Sequence, residues 1–201
     1  MNQAISYAIA AVAGYLLGSI STGILVAKKE ANMDLRSAGS KSTGATNVLR
    51  VLGKRPAAIT FLGDFLKVML ACLLGWLLYG QTGAMVGGLA GIIGHNWPVY
   101  HQFKGGKGVA SSVAAMLFVF PDTALVAIVV FFLVTGLSRY VSLGSMAMLA
   151  LFALLVVCTQ WGYWAACLWA IALAALCIFR HRTNIGRLIK GTENKLSFKR
   201  K

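Results

Sequence analysis

Charge in this chain is confined to the gaps between long apolar runs, and that segregation restricts the fold more than any other feature. All but one of the 19 Lys and Arg residues fall in four polar segments: 28–55, 101–108, 138–142 and 180–201. The exception, Lys67, lies inside an apolar run, three residues after Asp64. The other polar connections, at 80–83, 120–122 and 160–163, hold no Lys or Arg. Only 12% of the chain is charged, whereas an ordinary soluble domain carries about 25%. A net charge of +14 would suit nucleic acid only if a folded basic face or arm presented it. Short basic loops tethered to apolar spans instead fit the positive-inside bias and attraction to anionic headgroups. Membrane lipids are therefore expected partners, and nucleic acid is not.

A membrane-crossing helix needs about 17–25 mainly apolar residues. Runs of this kind cover 4–27, 56–79, 84–100, 143–160 and 162–179. Another apolar stretch, 109–137, is interrupted by Pro121 and Asp122, a turn signal. Read as two spans, 109–120 and 122–137, it gives seven crossings with every basic segment on one side. Six crossings would separate Lys104 and Lys107 from the 180–201 tail. The expected fold is an all-α membrane protein, one domain over 1–201, with seven transmembrane helices, an external N-terminus and a cytoplasmic C-terminus. The run 5–28 has no basic leader and no small-residue cleavage pattern after it, so a retained span is expected.

Trp76, Tyr79, Trp161, Tyr163 and Trp164 fall near the uncharged ends of these spans, and Trp97, Tyr100 and Tyr140 near the basic ends. These are aromatic-belt positions. Gly87, Gly88, Ala90, Gly91 and Gly94 give the third span a close-packing face. Cys72, Cys158, Cys167 and Cys177 lie in apolar stretches without metal-binding spacing and read as buried or lipid-facing hydrophobes. His95 and His101 are six apart, off the helical i,i+3 and i,i+4 spacings, so no metal site is expected, and no cofactor. Asp64 and Lys67 read as a structural ion pair bracing the loop above, since unpaired charge is expensive at that depth.

Three polar segments carry chemistry. In 34–50 (DLRSAGSKSTGATNVLR), glycines and small hydroxyls let backbone N–H groups converge on a phosphate, and Arg50 can add bidentate bonds. Ser40, Asn47 and Arg50 are the candidates there. Lys28, Lys29, Lys54 and Arg55, like Lys199, Arg200 and Lys201, read as orienting charges. In 94–108 (GHNWPVYHQFKGGKG), three glycines alternate with Lys104 and Lys107 ahead of a helix. That composition suits an anion cradle, although it lacks P-loop spacing. In 180–195, His181 and Asn184 share one helical face and suit contact with a substrate hydroxyl. Ser145 suits either helix packing or lining of the site.

Together these segments resemble the bacterial acyl-phosphate:glycerol-3-phosphate acyltransferase family, the PlsY type. The resemblance rests on GSISTG (18–23), DLR and GATNVLR within 34–50, GHNWPVY and FKGGKGVA within 94–110, RYVSLGS (139–145) and RHRTNIGRLIKGTENKL (180–196). It covers essentially the whole chain. One departure is visible: the family usually has Gly-Ser-Gly-Asn where this chain reads Gly39-Ser40-Lys41-Ser42. The resemblance implies transfer of a fatty acyl group from acyl phosphate to the 1-hydroxyl of glycerol 3-phosphate, giving lysophosphatidic acid and inorganic phosphate. It places Ser40, Arg50 and Lys107 around substrate phosphate, with Ser145, His181 and Asn184 nearby. Asn47 and Lys104 join the binding residues, and the backbone of Gly105 and Gly106 holds the acyl-phosphate head. It also implies a bacterial inner membrane with the active site facing the cytoplasm.

Both implied substrates bear phosphate and one has an apolar tail, which suits a basic pocket at the membrane surface. An acyl phosphate is an activated mixed anhydride, so positioning and neutralising two anions supplies much of the acceleration. No carboxylate is placed by sequence to orient His181, so the substrate's own phosphate is the expected proton acceptor. The competing class is a transporter or channel for a phosphorylated anion. It would carry polar groups near the bilayer midplane and often repeats, whereas the polar segments here lie at one membrane face.

Overall fold

In the computed structural model, which describes residues 2–196, Asn2 opens α1 (Gln3–Gly18) by accepting the Ala4 N–H at 3.0 Å. The apolar run 4–27 is not one helix: it breaks at residues 19–21 and resumes as α2 (Thr22–Ala31). Asn32, in the left-handed conformation, closes α2 with Lys28 and Lys29 in its last turn, where cations suit the helix dipole. The short α3 (Ala45–Leu52) follows the first basic loop, and α4 (Lys54–Asn96) has two arms separated by non-helical Tyr79 and Gly80. Gly80 has φ +55°, a conformation that a residue without Cβ takes readily.

The stretch 109–137 is two helices, α5 (Val109–Val119) and α6 (Pro121–Ser138), broken at Phe120. Pro121 takes the first position of α6, where its missing N–H has no helical partner to lose. Then come α7 (Val141–Thr159), α8 (Trp164–Arg180) and α9 (Arg182–Ile189), the last two bent by 59°. Among the described residues, four segments are long and apolar enough to cross a membrane, and the bent α8 and α9 pair would make a fifth. Large apolar side chains such as Leu77, Phe132, Leu137 and Leu168 are exposed, as lipid-facing surface requires. Lys199, Arg200 and Lys201 lie outside the described residues.

The chain divides into two compact units, the first ending at Val119 and the second beginning at Phe120. In the first, the arms of α4 fold back on each other, with Gly75 against the Gly83 backbone and Gly87 against the Ala71 carbonyl. α1 lies along the second arm through Gly14 on Gly87, Gly18 on Gly91 and Gly94 on the Tyr15 carbonyl. A Cβ at Gly14, Gly18 or Gly94 would meet backbone directly, which is the close approach that small residues permit between membrane helices. Gly88 packs on Cys72 and Ala115, bringing α5 onto the same helix. Near the basic loops, Ala27, Leu35, Val48 and Ala57 form a small core, with Met33, Leu49, Val51 and Leu52 around it.

In the second unit α6 packs on α7 and α7 on α8. Gly144 sits against the Thr135 hydroxyl and the Phe131 carbonyl. Phe152 meets Trp169 edge-on with ring centroids 6.0 Å apart, a favourable aromatic geometry. The segment after α9 returns to the turn between α6 and α7: the Leu196 N–H donates to the Arg139 carbonyl at 2.7 Å, and Lys195 lies over the Tyr140 ring. That return places Glu193 beside Ser142.

Candidate active site

The first basic loop is shaped by Asn47. Its carboxamide oxygen accepts the Ser40 N–H at 2.7 Å, and its nitrogen donates to the carbonyls of Ala38 and Ser42 at 3.0 and 2.9 Å. Asn47 is 2% exposed, so these bonds are made away from water, where an unmade one would cost about 1–3 kcal/mol. They fold 38–42 into a tight loop that carries half-buried Ser40 at its tip. Gly39 (φ +58°) and Lys41 (φ +59°) are both left-handed. Lys41 therefore holds a conformation that favours glycine, at the position where the resembling family has glycine. Arg50 lies exposed on α3.

A second contact ties this loop to the glycine-rich one. The Arg36 guanidinium bonds both oxygens of Asp34 and also donates to the His101 carbonyl at 3.3 Å. Its side-chain bonds, then its backbone N–H, hold the Asp34 carboxyl below its ordinary range. An exposed pair of this kind adds about 0–1 kcal/mol, so its effect is to fix where Arg36 reaches.

The glycine-rich loop begins with a sharp reversal. Gln102 and Phe103 are both left-handed (φ 56° and 58°), and the Phe103 and Lys104 N–H groups donate to the carbonyls of Pro98 and His101. The chain then presses onto the end of α4. The Gly106 N–H donates to the His95 carbonyl at 3.1 Å, and a Cβ on Gly106 would collide with the His95 imidazole. One on Gly105 would collide with the His95 carbonyl and the Pro98 ring. Lys104 is exposed, Lys107 half-buried, and α5 opens immediately afterwards, where first-turn N–H groups attract anions. Beneath the loop, His95 joins Asp64 and Lys67, which are 2% and 6% exposed. The expected ion pair is present at 2.8 Å.

In the second unit, Glu193 gathers the polar side chains. It accepts from Ser142 Oγ at 2.9 Å, Asn184 Nδ2 at 2.6 Å and Arg187 Nε at 2.7 Å. Burial pushes its carboxyl up, but the bonds from Asn184, Arg187 and Ser142 outweigh that and leave it below its ordinary value. His181 Nδ1 lies 2.8 Å from the Cys177 carbonyl. A carbonyl can only accept, so Nδ1 carries a proton in this geometry, and a neutral ring then has its lone pair on Nε2. Ser145 is buried and bonds the Val141 carbonyl, and the Cys177 thiol spans from His181 Nδ1 to the Ser145 carbonyl.

Within each unit, then, several of the expected residues come together: Ser40 with Asn47, Gly105 and Gly106 on His95, and Ser145 with His181 through Cys177. Sequence reasoning missed Glu193 and Ser142, and assigned His95 no role. Glu193 carries a signal in hindsight, as the one carboxylate in the 180–201 tail. Asn96 was missed as well. It is fully buried beside Gly108, and neither atom of its carboxamide has a hydrogen-bond partner among the described residues. Also among the described residues, no three His, Cys, Asp or Glu side chains are grouped to hold a metal ion.

Comparison with known proteins agrees over nearly the full length. A family model described as glycerol-3-phosphate acyltransferase matches residues 8–191. The chain is 45% identical to a glycerol-3-phosphate acyltransferase of Thermoanaerobacter sp. (strain X514), over 94% of this chain and 95% of the relative. It is also 45% identical to one of Clostridioides difficile (strain 630), over 97% and 98%. Among solved structures, it matches PlsY, an integral membrane glycerol 3-phosphate acyltransferase, in its glycerol 3-phosphate form. That match has a TM-score of 0.89 and 38% identity over 96% of each chain. The lysophosphatidic acid form of PlsY matches at 0.86 and 37% over the same share. With its all-helical build and apolar spans, the chain belongs to the glycerol-3-phosphate acyltransferase family of integral membrane proteins.

Proposed function

We propose that the chain transfers a fatty acyl group from acyl phosphate to the 1-hydroxyl of glycerol 3-phosphate, releasing inorganic phosphate and forming lysophosphatidic acid. The observation that carries this reading is the full-length likeness to an enzyme solved with glycerol 3-phosphate and with lysophosphatidic acid. In the step itself the hydroxyl oxygen attacks the acyl carbonyl carbon. The carbon–oxygen bond of the mixed anhydride breaks, and phosphate departs with the bonding pair. The hydroxyl proton passes to the phosphate of glycerol 3-phosphate. Family membership favours this enzyme reading over a transporter for a phosphorylated anion.

The residue roles follow from chemistry at each position. Ser40, Arg50 and Lys107 neutralise and orient substrate phosphate, with Lys104 adding charge at the loop. Asn47 acts through the loop it ties. The backbone of Gly105 and Gly106 holds the acyl-phosphate head. Asn184, held by Glu193, and Ser145 and His181 complete the second unit's share, and His181 Nε2 accepts a hydrogen bond rather than removing the proton. The chain acts as one acyltransferase domain over residues 1–201.

The chain crosses a bacterial inner membrane seven times, with the N-terminus external and the basic, active face cytoplasmic. The charge segregation supports this, as does α1 running parallel to the second arm of α4 and opposite to the first. A cysteine placed at Gln81 should label from outside intact cells and one at Lys41 should not; the reverse pattern overturns the orientation.

Activity is tested with purified protein, palmitoyl phosphate and glycerol 3-phosphate, following phosphate release and lysophosphatidic acid together. Absence of both products from the intact protein, or full activity in Lys107→Ala, refutes the assignment. His181→Ala should slow turnover without abolishing it. Complete loss at every pH with normal glycerol 3-phosphate binding would show that the imidazole is the base.

A further inference from the structure

Asp64 and Lys67 touch no substrate in the reading above, yet they are buried charges in the otherwise apolar run 56–79 of α4. A buried ion pair is a poor device for stability alone, since well-packed apolar residues serve as well or better. Its surroundings suggest what else it does. The Lys67 ammonium has three N–H donors, and three acceptors face it: Asp64 Oδ1 at 2.8 Å, the Ile20 carbonyl at 2.6 Å and His95 Nδ1 at 3.1 Å. The Nδ1 of His95 therefore faces the pair, and it accepts from the ammonium in the tautomer that carries its proton on Nε2. Asp64 Oδ1 also lies 3.4 Å from Nδ1, and Ser111 of α5 donates to the Asp64 carbonyl at 3.2 Å.

The ring is therefore fixed on one edge by the ion pair. Its other edge is the surface on which Gly106 rests, because a Cβ there would overlap Nε2. The His95 carbonyl accepts the Gly106 N–H, so both the backbone and the side chain of His95 set the loop's path. Three elements converge on this point: the break after α1 through Ile20, both arms of α4, and the start of α5.

We propose that Asp64, Lys67 and His95 form a positioning cluster that sets the height and rotation of the imidazole, and through it the backbone geometry of Gly105 and Gly106. None of the three is a catalytic residue. The consequence for turnover rests on the reading that this loop holds the acyl-phosphate head; the consequence for the loop's geometry does not.

The test is the paired variant Asp64→Asn with Lys67→Met, which removes both charges at similar volume and leaves no lone buried ion. Three quantities are read: melting temperature, kcat/KM for palmitoyl phosphate, and hydrogen exchange of the Gly106 amide and its neighbours in 103–108. The expected result is a melting temperature close to wild type, a loss in kcat/KM of about 10²-fold, as a displacement near 1 Å produces, and faster exchange confined to 103–108. Wild-type kcat/KM together with wild-type exchange in the loop overturns the proposal, leaving the pair as a structural ion pair. If the intact protein shows no acyl transfer, the functional reading fails, and loop exchange still decides this one. Should the paired variant not fold, His95→Gln, which leaves the ion pair in place, takes the same measurements. Unchanged exchange at Gly106 in that variant overturns the proposal equally.

Discussion

Replacing Glu193 by alanine removes the acceptor for three donors at once, and the structure sets the size of the effect. Ser142 and Asn184 are 6% and 4% exposed, so each becomes a stranded buried donor, at about 1–3 kcal/mol apiece. Arg187 is 34% exposed on its side chain and regains water, contributing about 0–1 kcal/mol. A central value of about 4 kcal/mol follows, a large part of the roughly 5–15 kcal/mol that holds a typical domain together. At about 2–4 °C per kcal/mol for a chain of this size, the melting temperature should fall by about 8–16 °C. Turnover should fall with it, because Asn184 loses the bond that orients its carboxamide. The assay is tryptophan-monitored unfolding in detergent beside the phosphate-release rate. Glu193→Ala melting within about 2 °C of wild type with full turnover would refute the argument.

Four further outcomes follow from local geometry. Glu193 titrates below its ordinary 4.5, so its contribution is complete above that value and lost as pH falls through the lower, folded one; the melting-temperature gap between wild type and Glu193→Gln should close below about pH 4.5, and a gap constant with pH excludes the linkage. Gly106→Ala forces the loop off the His95 ring and should cut kcat/KM about 10²-fold, while circular dichroism retains the full helical signal; wild-type kinetics would mean that the loop tolerates displacement. Lys41→Gly relieves a left-handed lysine (φ +59°) of about 1–2 kcal/mol against about 0.5–1 of added chain entropy, so its melting temperature should rise slightly; a fall contradicts the strain. Asn96→Leu removes two buried polar atoms without hydrogen-bond partners among the described residues at about 1–3 kcal/mol each and should raise the melting temperature, whereas a lower one shows that the amide is satisfied.

What was readable in sequence was what periodicity and chemistry encode locally. The run 143–160 became α7, and Pro121 with Asp122 marked the start of α6, because apolar length and proline geometry act within a few residues. The close-packing face of Gly87, Gly91 and Gly94 was also readable, but its partners Gly14 and Gly18, and the contact of Gly75 with Gly83 between the arms of α4, were not, since pairing between helices leaves no one-dimensional pattern. The break at 19–21 was hidden by continuous apolar composition. Asn47 read as a phosphate contact, whereas its geometry is that of a loop fastener, a distinction that depends on which backbone groups fold onto it. Glu193 was passed over in the sequence, because nothing local announces that the chain doubles back to Ser142.

The glycine seam of the first unit has a consequence for how the gene can vary. Every missense change in a glycine codon adds heavy atoms, and at Gly14, Gly18, Gly75, Gly83, Gly87 and Gly94 those atoms would meet backbone rather than a side chain that can rotate away. No second mutation can trim a main chain to compensate. These six codons are therefore closed to drift in a way that an ordinary apolar core is not, since Leu and Ile can trade volume there. Saturation mutagenesis should recover them as a contiguous blank stripe, and stabilising substitutions will come from the lipid-facing side of the same helices.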